Sequence, residues 1–73
     1  MSIYCFALHA KDGKPVETLG ALPLSGDAES LTFAEGVIRD MTRACGAAYY
    51  SGWSIDITEG ERGVGRVPFA AAR

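Results

Sequence analysis

GWSIDITEGERGVGRVPF, residues 52–69, is the stretch that decides how the rest of the chain is read. Trp53, Ile55 and Ile57 alternate with Ser54, Asp56 and Thr58, the period-two pattern of a strand with one buried face. EGERG, residues 59–63, turns the chain, and Val64 to Phe69 returns. Pro68 suits an edge or a strand end, where a missing N–H is tolerated. The segment therefore reads as a β-hairpin with one apolar face, and such a face needs a second layer to cover it.

The same pattern opens the chain. Tyr4, Phe6 and Leu8 share one face of a strand, and Asp12-Gly13 is a two-residue hairpin signal. Pro15 to Leu19 reads as a short returning strand that starts at a sheet edge, with Gly20 and Pro23 ending it in a loop. From Asp27 to Cys45 the period changes. Leu31, Ala34, Val37, Ile38, Met41, Ala44 and Cys45 recur at three- and four-residue steps, one stripe of an amphipathic helix. Thr32, Glu35, Arg39, Asp40 and Arg43 lie off it. Two starts compete: Asp27 as cap with Glu29 in the first turn, or a Thr32…Glu35 capping box. Asp27 is preferred, because the later start leaves a short helix. Gly46 fits the C-terminal stop. Gly36, inside the helix at a cost of about 1 kcal/mol against alanine, is either tolerated or there to admit a close strand or partner.

The expected fold is α+β: β-β-α-β-β, a small four-stranded antiparallel sheet with one helix packed on one face. Tyr4, Phe6, Leu8, Trp53, Ile55, Ile57, Val67 and Phe69 are expected under the helix. Cys5, Ala7, His9, Ser54, Asp56, Thr58 and Arg66 go to the open face, which is small or polar as a solvated face should be. Residues 1–73 make one domain, with AAAR, 70–73, as a frayed tail.

Composition narrows the function. The 48% hydrophobic content is that of a folding chain rather than a disordered tail. At this length folding buries only about 60–65% of the unfolded surface, so the stability margin is thin. Seven basic and nine acidic residues are scattered without a basic stripe, which argues against direct nucleic-acid binding. A mild acidic excess permits a basic protein partner. Cys5 and Cys45 form no C-x-x-C pair and read as reduced thiols. Lys11-Asp12 interrupts the first apolar run, so no signal peptide is expected. No stretch reaches the ~20 apolar residues of a membrane span. The expected location is the cytoplasm.

No constellation reads as catalytic. Cys5, His9 and Asp56 could be drawn as thiol, base and carboxylate. Four residues of strand, however, hold Cys5 and His9 roughly 13 Å apart, against the ~3 Å that nucleophile and base require. His9 is the only histidine and has no partner at ligand spacing, so neither zinc nor any cofactor is expected. Asp56, Glu59 and Glu61 are a loose carboxylate patch without a calcium-loop pattern, and GVG lacks a following helix and a P-loop lysine. An enzyme is not expected. Tyr49, Tyr50 and Trp53 have two readings: interface anchors, or a lid of Trp53 and one tyrosine on the end of the core. On the first reading, Tyr49, Tyr50, Asp56, Glu59, Glu61 and Arg62 form a partner surface of aromatics beside carboxylates. A non-enzymatic protein-binding module is then expected, one that blocks or regulates a larger bacterial complex. A phage or mobile-element inhibitor, anti-CRISPR-like, is one concrete form. The alternative is an antitoxin-like or nucleic-acid-linked regulator. Exposed strand edges offer a homodimer by strand addition.

Tyr4, Phe6, Asp12-Gly13, Leu22-Pro23, Trp53, Ile55, Ile57-Thr58, Gly63 and Val67-Pro68-Phe69 together make a further pattern. It resembles a family of short, uncharacterised proteobacterial proteins with an aromatic first strand, a D-G turn, an amphipathic helix and a C-terminal V-P-F strand. The resemblance covers nearly the whole chain and implies the same β-β-α-β-β fold. SGDAESLTF, 25–33, is longer than the family's usual lead into the helix, and CGAAYYSG, 45–52, is more aromatic than its usual linker. The family carries no assigned activity, so it implies a fold and no site.

Overall fold

A computed structural model describes residues 1–69, so the tail expected at 70–73 lies outside the described residues. Five elements follow one another: β1 (Ser2–His9), β2 (Pro15–Leu24), α1 (Asp27–Cys45), β3 (Ser54–Glu59) and β4 (Arg62–Pro68). The strands form one antiparallel sheet in the order β2-β1-β3-β4. The fold is the small α+β architecture that the two hydrophobic periods imply. Each hairpin contributes one central and one edge strand, and the sheet closes where β1 meets β3, with Cys5 opposite Thr58 and His9 opposite Ser54.

Alternation then dictates the core. Tyr4, Phe6 and Leu8 of β1, Ile55 and Ile57 of β3 and Val67 of β4 are buried beneath Ala34 and Ile38 of α1. Trp53 is only partly buried, at the margin of this cluster. The helical stripe is shifted from the expected one. Ser30, Ala34 and Ile38 are its buried centre, whereas Leu31, Ala44 and Cys45 are exposed. The last turn of α1 has no buried residue, because the aromatic loop after it closes that end of the core. Ser30 is accommodated because its hydroxyl donates to the Asp27 carbonyl at 2.6 Å.

Local chemistry accounts for the other departures. β2 does not end at Gly20 but continues to Leu24. Its register against β1 jumps from Phe6↔Gly20 to Ala7↔Thr18, so Leu19 is an extra, bulged residue. Gly20 absorbs the bulge with φ of 148°, a conformation open to glycine and closed to most side chains. Pro23 is tolerated because β2 is an edge strand. The first hairpin loop has three residues rather than two. The Gly13 N–H bonds the Ala10 carbonyl at 2.9 Å, the Ala10 N–H bonds the Lys14 carbonyl at 3.0 Å, and only Gly13 takes positive φ. That is a tight turn followed by a left-handed glycine, the common three-residue solution. α1 starts at Asp27, but Gly26 holds the cap position and makes no side-chain cap bond. Asp27 is thereby released for another task. Gly46 ends the helix with φ of 93°.

Both sheet edges are blunted. β2 carries Pro15, Pro23 and the Leu19 bulge, and β4 carries Pro68 and an irregularity opposite Ile57/Thr58. Missing donors and broken register are standard protections against edge-to-edge pairing. They oppose the strand-addition homodimer that exposed edges suggest from sequence.

Gly36 faces open space: no atom outside its own helix lies within 4 Å of the position a Cβ would take. The structure shows no close approach that needs the glycine. Gly36→Ala is therefore expected to stabilise the domain by about 0.5–1 kcal/mol through helix propensity and a less flexible unfolded chain. A thermal melt checks this, and a lower melting temperature would contradict it.

Candidate protein-binding site

One helix cannot cover four strands. A helix is about 10 Å across, while the axes of the outer strands lie about 14 Å apart at ~4.8 Å per step. α1 contacts β4, β3 and β2, most closely at the β4 side. Its Leu31 approaches β4 so closely that a Cβ on Gly65 would sit 3.8 Å from the leucine methyl. The outer strand β2 is only partly covered on this face, and an apolar cleft of about 370 Å³ runs between α1 and β2. Phe6, Leu19 and Leu22 line its sheet side, and Phe33, Val37 and Met41 its helix side. Phe33 leans on Phe6 with ring centroids 5.0 Å apart, yet 39% of it stays exposed, and Leu19 is held outward by the bulge with 37% exposed. Large apolar side chains are thus presented on both walls of one concavity, the form that side-chain-reading interfaces take.

The rim is acidic. Glu17 pairs with Leu8, whose side chain is buried under the helix, so Glu17 belongs to the same face of the sheet. Asp40 follows Val37 by three residues and Phe33 by seven, which places it on the same flank of α1. Arg39 and Arg43 fall outside that flank by the same count.

The six residues that sequence reasoning assembled do not come together. β3 separates them: from Ser54 to Glu59 it spans about 17 Å at ~3.3 Å per residue, with the aromatic loop at one end and the acidic turn at the other. Tyr50 is buried, stacked on Phe69 at 4.8 Å and set edge-on to Trp53 at 5.3 Å. It is a core residue, which corrects its reading as an exposed anchor. Tyr49 alone of the pair is exposed, with its ring edge-on to Tyr50. Asp56 lies on the open face beside Arg66 at 3.6 Å. Glu61 is exposed in the β3–β4 loop.

Glu59 and Arg62 belong to a different assembly. The Arg62 guanidinium donates to both carboxylate oxygens of Asp27, at 2.8 and 3.0 Å, and also to Glu59. The Tyr4 hydroxyl donates to Asp27 Oδ1 at 2.7 Å. The free start of α1 is thus fastened to the second hairpin and to β1. Bidentate geometry of this kind is where an arginine pair is strongest. The Arg62 guanidinium, and next the Tyr4 hydroxyl, hold the Asp27 carboxyl at about 2, below its usual 3.8. The same hydrogen bond to Asp27 raises the Tyr4 hydroxyl. This is a structural clamp, with both partners about half exposed.

The clamp has a pH signature. Asp27 is more acidic folded than unfolded, so its contribution is fully present above about pH 4 and is lost as pH falls through 2. Arg62→Gln should raise the Asp27 titration midpoint towards 3.8 and flatten the acid limb of the stability curve in that window. Carboxyl-carbon NMR titration of both proteins reads the midpoint directly. Identical midpoints would show that Arg62 does not hold Asp27.

Cys5 lies on the open sheet face and Cys45 at the end of the helix that covers the other, so the two thiols are separate and free. Among the described residues no three His, Cys, Asp or Glu side chains gather as a metal site, and no helix is long and apolar enough to cross a membrane. No protein-family model, curated protein or solved structure matches the chain.

Sequence reasoning missed the cleft. One signal was present: Phe33 is a large aromatic within the helix but off its main stripe, which widens the apolar face towards a second neighbour.

Proposed function

We propose that this chain is a non-enzymatic protein-binding module that receives its partner in the cleft between α1 and β2. The observation that carries this reading is the pair of exposed apolar walls, Leu19 on one side and Phe33 on the other, around a 370 Å³ concavity. Rim carboxylates would steer a basic partner, while the apolar walls would supply most of the affinity. A module of this kind acts by occupying a surface of a larger complex, and the inhibitor or regulator reading follows from that mode of action.

The test is a photo-reactive phenylalanine analogue placed in the native cells, at Phe33 in one strain and at Arg43, on the outward face of α1, in another. A discrete adduct with one other protein is expected from position 33, absent from position 43 and abolished by Leu19→Asp. Adducts of equal yield from both positions, or none from position 33, would refute the reading.

A further inference from the structure

Building on the cleft as the binding site, we infer that its occupant is an amphipathic α-helix of a partner protein, apolar along one stripe and basic on the flank that meets Glu17 and Asp40. Three features of the cleft converge on this chemistry.

The first is the form of the uncovered surface. α1 leaves the outermost strand β2 only partly covered, with Leu19 exposed and Leu22 half-buried, and a second apolar element lying alongside α1 would complete the layer there. α1 supplies one wall from Phe33 to Met41, so the occupant would lie along a helix and over a sheet, as a second helix of a two-layer domain does.

The second is the edge of β2. A partner strand would need regular main-chain donors and acceptors there. Pro15 and Pro23 remove donors, and the Leu19 bulge breaks the spacing between them. The bulge also turns Leu19 into a side-chain contact of the cleft. The edge that refuses a strand thus offers an anchor to a helix, which satisfies its own backbone and reads only side chains. Anchors at i, i+3 or i+4, and i+7 on that helix would fall between Leu22 and Phe33 at one end and Leu19 and Met41 at the other.

The third is charge. Glu17 and Asp40 stand on the two sides of the cleft, and Glu29, four residues before Phe33, continues the helix flank. A second copy of this chain would bring the same carboxylates against them. A basic helix meets complementary charge on both sides, and the acidic pair selects it over an acidic helix of equal hydrophobicity.

The experiment uses the intact protein and three synthetic peptides of about 15 residues, long enough for four helical turns. One carries leucines at i, i+4, i+7 and i+11 with lysines on both flanks. The second has glutamates in place of the lysines, and the third has the first peptide's composition with two central prolines. Backbone and methyl NMR shifts locate binding, and titration gives Kd. The lysine peptide is expected to shift Leu19, Leu22, Val37 and Met41 and to bind at least about tenfold more tightly than the glutamate peptide, with no saturable binding by the proline peptide. Asp40→Lys should shrink that preference by about threefold or more, with the fold unchanged. Equal affinity for both charged peptides, shifts elsewhere on the surface, no binding by any peptide, or a sedimentation profile showing a dimer closed over the cleft would each overturn the inference. The cross-linking test at position 33 is independent of these outcomes. A heteromeric adduct there alongside failure of the lysine peptide would leave the binding site standing and reject the helix as its occupant.

Discussion

Ile38→Ala is expected to cost about 2–5 kcal/mol, the range for emptying a fully packed aliphatic site. Ile38 has no exposed surface, and it occupies the centre of the α1 stripe above Ile55 and Ile57, which are equally enclosed. A domain of this length holds roughly 4–11 kcal/mol in all, so the substitution removes a large fraction of the total. Each kcal/mol lowers the melting temperature of so small a domain by about 4–8 °C, and a fall of at least about 8 °C follows. Calorimetry or a circular-dichroism melt reads it. A variant that melts within a degree or two of the parent would mean that α1 does not seat Ile38 on the sheet.

Tyr50→Ala is expected to be comparably damaging, at about 3–5 kcal/mol by analogy with other buried aromatics. The ring is 8% exposed and stacks on Phe69 at an interplanar angle of 28°. The backbone fixes it there: the Trp53 N–H bonds the Tyr50 carbonyl at 3.0 Å, and the Phe69 N–H bonds the Trp53 carbonyl at 2.9 Å. Tyr49 provides the contrast. With 63% of its surface exposed, Tyr49→Ala should cost no more than about 1.5 kcal/mol, the value of an aromatic pair. Equal losses from the two substitutions would refute the division of labour between the neighbouring rings.

Much of the fold was legible because two periods are written plainly into the chain. Tyr4-Phe6-Leu8 and Trp53-Ile55-Ile57 alternate at two, and the Asp27–Cys45 segment recurs at three and four. What was hidden depends on contacts across the fold. Gly20 and Pro23 carry the local signature of a strand end, and only the position of β2 at the sheet edge makes them compatible with a longer strand. Asp27 looks like a cap residue until Arg62, 35 positions later in the chain, is folded against it. The carboxylates and tyrosines that seemed adjacent in sequence are divided by the length of β3, which lies between them as a rigid spacer. The cleft was illegible for a related reason. Periodicity says that a helix has an apolar stripe, but not how much of an outermost strand that stripe will cover.

The strand order sets how the molecule must close during folding. β1 forms its first pairing locally, with β2, but its other edge is satisfied only by β3, and Cys5 waits for Thr58, more than fifty residues further along the chain. Until the last quarter of the polypeptide is available, the first hairpin and the helix hold an apolar strand with one open side. Long-range pairing of this kind slows folding relative to helical domains of the same size. It also makes the closing hairpin indispensable to everything before it, so the domain has no stable half. Amide exchange of β1, α1 and β3 should therefore proceed through a single opening of the whole sheet, with one common protection free energy across the two hairpins.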